Sequence, residues 1–234
     1  MRMVFESAPE AQRAALYRRF EEEVSRPLEM EHRFAESSER RRVAIMVSRE
    51  DHCLTDLLWR WRSGELGADV VAVISNHADH ADQVISLGLP FHHVPVNKDS
   101  KGEAEEKALE LLADVDLLVL ARYMQVLSAD FLRRLEAPAI NIHHSFLPAF
   151  VGADPYRRAH ERGVKLIGAT AHYVTEELDA GPIIDQDVTR VSHRDEVSDL
   201  MRIGRDIERL VLARAVKAHI DDRVLLDGPR TIVF

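Results

Sequence analysis

The sequence carries a single cysteine, Cys53, in 234 residues. One thiol excludes a disulfide framework and any zinc site built on several cysteines. There is no excess of base: 31 Lys and Arg stand against 40 Asp and Glu, for a net charge of -9. Nucleic acid is therefore not an expected partner, since that needs a basic footprint. No apolar run approaches the roughly 18 residues that a spanning helix requires, so no membrane partner is expected either. The opening Met1-Arg2-Met3-Val4-Phe5-Glu6 has no apolar core and no cleavage site, so it does not read as a signal peptide. Together these absences predict a cytoplasmic protein.

Glycine is missing where it matters most. None occurs between Val43 and Ser63, across the first strand, the turn Ser48-Arg49-Glu50-Asp51-His52-Cys53 and the helix after it. Dinucleotide sites need glycines there so that the backbone can approach a pyrophosphate. Two acids in the turn would also repel phosphate, so an NAD-dependent enzyme is not expected. Within that turn His52 reads as a helix-start residue and Cys53 as a core thiol. The twelve histidines show no H-E-x-x-H and no H-x₃-H spacing, and His143 and His144 would face opposite ways on a strand. No metal is expected, and mononuclear zinc hydrolysis stands only as an alternative.

What is present is a change of rhythm. Residues 1–36 read as a small β-α-β unit: strand-like Met1–Glu6, a helical stripe over Pro9–Val24, and alternation over Leu28–Phe34. Such a unit is too small to bury a core alone. Residues 37–42 read as a linker within the polar stretch Ala35–Arg42. From Val43 to Phe234, strands alternate with helices. Strands are predicted at Val43–Val47, Val70–Ile74, Phe91–Val94, Leu117–Leu120 and Ala139–Ile142, the apolar runs of a parallel sheet. Helices are predicted at Leu54–Trp61, near Asp79–Leu87, at Glu103–Ala113 and at Ala129–Leu135. The fold class is α/β, a doubly wound Rossmann-like sheet that is mainly parallel. After Pro148 come a short helix Tyr156–Arg162, an antiparallel pair Leu166–Val174 and Pro182–Val191, a long helix Asp195–His219, and two terminal strands, Arg223–Leu226 and Thr231–Phe234.

The candidate chemistry lies at the end of the fifth strand, in Asn141-Ile142-His143-His144-Ser145-Phe146-Leu147-Pro148. Positions two apart share a strand face, so Asn141 and His143 project together. Alone, an N-x-H is more often a frayed strand end than a site. The tight turn Glu177-Leu178-Asp179-Ala180-Gly181-Pro182 changes the weighing. Asp often merely starts a turn, but this turn can return Asp179 to His143. A carboxylate beside an imidazole orients it and favours its charged form. An imidazolium and an amide can both donate to an oxyanion forming on a carbonyl carbon. With no Ser or Cys nucleophile in the set, direct acyl transfer to an amine or to water suits it better than an acyl-enzyme. His172, on a strand with small neighbours Gly168, Ala169 and Ala171, reads either as a partner supporting Asp179 or as a satisfied buried histidine.

Three stretches, 141–148, Ile-Gly-Ala-Thr-Ala-His-Tyr-Val-Thr at 167–175 and Glu-Leu-Asp-Ala-Gly-Pro-Ile-Ile at 177–184, resemble the signatures of folate-dependent formyltransferases. The resemblance runs from about Val43 to the end and is strongest to the formyltetrahydrofolate deformylases. The His144 doublet, the Gly-Ala-Asp-Pro-Tyr stretch at 152–156 and the glycine-free first turn point that way. They point away from glycinamide ribonucleotide formyltransferase, which has a glycine-rich loop after its first strand. The resemblance implies hydrolysis of 10-formyltetrahydrofolate to formate and tetrahydrofolate, supplying formate for purine biosynthesis and balancing the one-carbon folate pool. Asn141, His143 and Asp179 would be catalytic. The folate would lie against Met124, Gln125, Val126 and Leu127 and against Val174, Thr175 and Glu176, with no cofactor beyond the substrate. It also casts residues 1–36 as the second half of an ACT-like regulatory domain, whose unfinished sheet edge predicts a homo-oligomer. The alternatives are the ribonucleotide formyltransferase and a non-catalytic folate- or amino-acid-binding sensor.

Overall fold

The computed structural model describes residues 1–6, 9–36, 38–97, 99–148 and 154–234. It divides into two compact units, Met1–Glu39 with Phe234, and Arg40–Val233. In the first unit a helix α1 (Glu10–Phe20) runs on into a π-helical turn, Glu21–Ser25. The strands expected at Met1–Glu6 and Leu28–Phe34 are not formed. An alternating pattern becomes a strand only where a neighbour supplies ladder hydrogen bonds, and 1–36 holds no such neighbour among the described residues. The returning segment instead lays its alternate side chains on the helix. Phe34 stacks on Tyr17 at 4.1 Å and meets Phe20 edge-on, and His32 also meets Phe20.

The larger unit is built on a seven-stranded sheet in the order β3-β2-β1-β4-β5-β6-β7. Its parallel part comprises β1 (Arg42–Val47), β2 (Asp69–Ser75), β3 (Phe91–His93), β4 (Leu117–Ala121) and β5 (Ala139–His143). Strands β6 (Leu166–Tyr173) and β7 (Ile183–Arg190) extend it antiparallel. The apolar runs form strands because both faces are covered. Val43, Ile45 and Val47 of β1 join a layer with helices α2 (His52–Arg62), α3 (Ala81–Ser86), α6 (Pro155–Arg162) and α7 (Val197–Ile220). The intervening Ala44 and Met46 join the opposite layer with α4 (Lys101–Leu111) and α5 (Ala129–Arg134). A hairpin of β8 (Val224–Asp227) and β9 (Arg230–Val233) follows.

The strand order reverses between β1 and β4. Open α/β sheets form their ligand crevice outside the carboxyl ends of the strands at such a point. Helix α5 is capped by Ser128, whose Oγ accepts from the Phe131 amide at 3.0 Å. This fixes Phe131, 1% exposed, in the layer beneath the loop that leads out of β4. Phe131→Ala should therefore lower stability by about 3–5 kcal/mol, the usual cost of emptying a buried aromatic site. Urea unfolding checks this, and a loss below about 1 kcal/mol would mean that the layer closes over the gap.

Candidate active site

Strand β5 ends at His143, one residue beyond the predicted limit, and the chain then bends away. The bend is bolted to β6 by Thr170. Its hydroxyl accepts from the Leu147 amide at 3.0 Å and donates to the Ser145 carbonyl at 2.9 Å. Gln186 adds donors to the Leu147 carbonyl and to Thr170. On the neighbouring strand the β6–β7 register slips between Ala171 and His172. Bulges of this kind re-aim side chains beside sites.

The turn carrying Asp179 is pinned just as tightly. The Tyr173 amide donates to the Pro182 carbonyl at 2.9 Å. A Cβ on Gly181 would lie 1.8 Å from the Tyr173 carbonyl oxygen, so only glycine lets the two segments approach this closely. Asp179 itself adopts φ 58°, a left-handed conformation that non-glycine residues rarely take. The result is a contact of 3.2 Å between His143 Nδ1 and Asp179 Oδ2. The hydrogen bond from His143 holds the Asp179 carboxyl below the usual range, against a burial effect that acts the other way.

Asn141 and His172 face each other across the β5–β6 pair. His172 Nδ1 lies 2.8 Å from the Tyr173 carbonyl oxygen, so that nitrogen carries the proton. Nε2 then offers a lone pair, which accepts from Asn141 Nδ2 at 3.3 Å. Burial pushes the His172 pKa down and keeps the ring neutral, although its bond to the Tyr173 carbonyl acts in the opposite sense. Its distance to Asp179 Oδ1 is 3.8 Å, too long for a hydrogen bond. Of the two sequence readings, geometry thus makes His172 a hydrogen-bonded buried ring that orients Asn141. It does not hold Asp179.

The other nitrogen of His143 is the most informative atom in the cluster. His143 is 6% exposed, and its Nε2 is buried with no hydrogen-bond partner among the described residues. Buried polar atoms are nearly always satisfied. A ligand's polar group could satisfy this one; the buried His52 Nδ1 and Arg122 Nε, likewise without a hydrogen bond among the described residues, lie instead in the cluster around Glu208.

His144 corrects the strand-based expectation. It does not face away from His143. The strand period no longer applies once the chain bends, and the two rings lie 5.3 Å apart with planes at 28°. Arg122, in the loop after β4, donates to His144 Nδ1. Arg122 also adopts a left-handed φ, 62°. Its Nε lies 3.4 Å from Glu208 Oε2 on α7. Glu208, 1% exposed, accepts from the Tyr156 hydroxyl at 2.5 Å and sits 2.8 Å from His52 Nε2. Burial acts to raise its pKa, but the His52 bond, the Arg122 and His52 charges and the Tyr156 bond together hold it lowered.

Sequence reasoning singled out none of Arg122, Tyr156 or Glu208 for the site. Glu208 did leave a signal, an acid in the apolar stripe between Ile207 and Val211. His52, Cys53 and Glu208 place donor atoms within 4.8 Å of one another. They do not fit a cation. The Arg122 guanidinium lies against the carboxylate, and burial, then Glu208, push the Cys53 thiol well above its ordinary pKa.

The residues expected to bind folate separate into two kinds. Met124 and Val126 are exposed, at 54% and 59%. Leu127 and Val174 pack on the α4–α5 layer. Gln125, Val126 and Leu127 line a narrow cleft with Lys101, Tyr123 and Phe131. Thr175 and Glu176 are exposed. The loop is tethered at the switch point, where Met124 donates to Ser48 Oγ at 2.9 Å and Ser48 donates to the Arg122 carbonyl at 3.2 Å. Gly152 and Ala153 of the 152–156 motif and Ser37 of the linker lie outside the described residues. Gly181→Ala should force the Asp179 turn off β6 and lower whatever turnover the site supports by tenfold or more, on the order expected for a misplacement of about 1 Å. A variant with unchanged turnover and a shifted turn would break the link between this contact and activity.

Residues 41–216 match the formyl transferase family. A formyltetrahydrofolate deformylase of Mycobacterium tuberculosis is 59% identical over 220 residues, 94% of this chain and 71% of that relative. One from Bacillus subtilis is 58% identical over 200 residues, 85% of this chain and 67% of that relative. The crystal structure of a formyltetrahydrofolate deformylase from Pseudomonas syringae superposes with a TM-score of 0.90 at 50% identity, over 94% of this chain and 74% of that one. On these likenesses the chain belongs to the formyl transferase family, in the group of the formyltetrahydrofolate deformylases.

Proposed function

We propose that this protein hydrolyses 10-formyltetrahydrofolate to formate and tetrahydrofolate. The observation that carries the reading is His143, with Nδ1 fixed on Asp179 and Nε2 buried and unpartnered among the described residues. Water attacks the formyl carbon, and the carbonyl electrons move onto its oxygen. With both ring nitrogens protonated, His143 donates Nδ1–H to Asp179 and Nε2–H to that oxyanion. Asn141, turned by His172, offers its second amide hydrogen to the same atom. Asp179 orients the ring and the water. As the C–N10 bond breaks, the nitrogen takes up a proton from the attacking water by way of this cluster. The set contains no side-chain nucleophile, so the reading involves no formyl-enzyme and no cofactor besides the substrate.

Water as the acceptor is supported by the turn after β1, which has no glycine and carries Glu50 and Asp51. Glu50 is paired with Arg205 at 2.9 Å, leaving that cation engaged with an acid. The loop after β4 and the segment after β6 are read as the folate-binding edge, with the exposed Met124 and Val126 as its apolar contacts. The enzyme would act in the cytoplasm and return formate for purine biosynthesis.

Asn141→Ala should cut formate release by about 10²–10³-fold, the loss of one oxyanion donor, or ~3 kcal/mol. Asp179→Asn should reduce it at least as much. Wild-type rates in either variant would remove the assignment. Formate release that required added glycinamide ribonucleotide would favour the transformylase alternative, and no release with or without it would favour a binding protein.

Residues 1–36 are read as the second half of an ACT-like unit, with its helix but, among the described residues, without its strands, that associates with a second copy. Met3, Val4, Phe5, Leu28 and Met30 are all exposed there, which supports an interface. Light scattering should give a dimer or larger species that Val4→Asp and Leu28→Asp together dissociate; a wild-type monomer would exclude it.

A further inference from the structure

One buried cluster has no task in deformylation as proposed, the array Glu208–Arg122–His144 beside His143. We propose that Arg122, clamped by Glu208, is a positioning residue that locks His144 in its neutral Nε2–H tautomer and holds that ring against His143. The deformylation site then keeps a single imidazole free to gain a proton. The inference rests on the deformylase reading for its purpose but on separate atoms for its geometry.

A guanidinium has five donors and no acceptor. Its bond to His144 Nδ1 therefore requires a lone pair on that nitrogen, and the remaining ring proton must sit on Nε2. Every element packed around His144 acts on it. Arg122 and His143 oppose a positive charge on the ring, as does burial, whereas Glu208 and Asp179 favour one. The Tyr156 ring lies 6.0 Å away on the side formed by α6. The balance falls on the neutral side, with the His144 pKa pulled down to about 4, burial being the largest cause and Arg122 the next.

The clamp shows signs of having been built for accuracy. Arg122 is held in a left-handed backbone conformation. One oxygen of Glu208 accepts from Tyr156 and the other lies 2.8 Å from His52 Nε2, while Arg122 Nε makes a charge contact with it at 3.4 Å and no hydrogen bond among the described residues. On α7, a Cβ at Gly204 would lie 1.9 Å from the Tyr156 hydroxyl oxygen, so glycine there is what admits the hydroxyl to Glu208. A second imidazolium 5.3 Å from His143 would oppose the positive charge that His143 carries when it donates to the oxyanion. Fixing His144 as neutral removes that competition.

The test uses the full chain labelled with ¹⁵N-histidine, with the His144 signals identified by their loss in His144→Gln. The wild-type ring should show the Nε2–H tautomer and no titration between pH 5.5 and 8.5. In Arg122→Gln the same ring should titrate at a higher pH than in wild type, moving up toward the ordinary histidine range while burial still holds it below that range. Formate release by that variant should then fall a few-fold more than wild type between pH 8 and pH 5.5, since His144 now gains charge on the acid side. A wild-type His144 that titrates near neutrality, or that carries its proton on Nδ1, would overturn the proposal even if Arg122→Gln does not fold. So would a folded Arg122→Gln whose activity drops equally at every pH. The spectra need no turnover, so a failed formate assay strikes the deformylase reading separately from this one.

Discussion

The contact between His143 and Asp179, 3.2 Å long, joins two parts of the sheet with different origins. His143 ends the last parallel strand, and Asp179 comes from the turn between two antiparallel strands. Neither residue would be informative without the other. The imidazole needs a carboxylate to fix its orientation, and the carboxylate needs a cation-capable ring to justify its burial. Much of the local architecture serves this one distance. Thr170 holds the bend after β5, Gly181 lets the turn lie on β6, and the bulge at His172 sets the facing amide.

A second feature is the separation of charge on the two sides of the imidazole. Asp179 lies on one side and the Glu208–Arg122 pair on the other, with the neutral His144 between that pair and His143. Buried ion pairs contribute little to stability when their desolvation is counted. Their value in such a place is geometric: a charge whose neighbours are fixed holds a tautomer that a solvated side chain would not. The Asp179 pKa also sets a sign. Its carboxyl is lowered in the folded state, so its contribution to stability is complete above the ordinary Asp range and is lost as the pH falls through the lower folded value.

The parallel half of the fold was legible because buried parallel strands are short, continuous apolar runs, and β1 and β4 are buried along nearly their whole length. The meeting of His143 with Asp179 followed from a strand end plus one tight turn. What failed did so for definite reasons. The segments 1–6 and 28–34 alternate like strands, but a pattern cannot supply the hydrogen-bonding partner that makes one. His144 was read with a strand's period one residue after the strand had ended. Arg122 stands in an unremarkable loop, and its role depends on Glu208, nearly ninety positions later in the sequence. An acid on the apolar stripe of α7 is a visible anomaly, but no pattern names the three groups that satisfy it.

The central claim is that an oriented imidazole and amide deliver the formyl group to water without a covalent intermediate. It is tested most directly by a single turnover of 10-formyltetrahydrofolate in oxygen-18 water, with the protein mass followed at each quench time. The account predicts formate carrying one oxygen from solvent and a protein whose mass never changes. A formyl adduct on the protein, or formate without solvent oxygen, would contradict it.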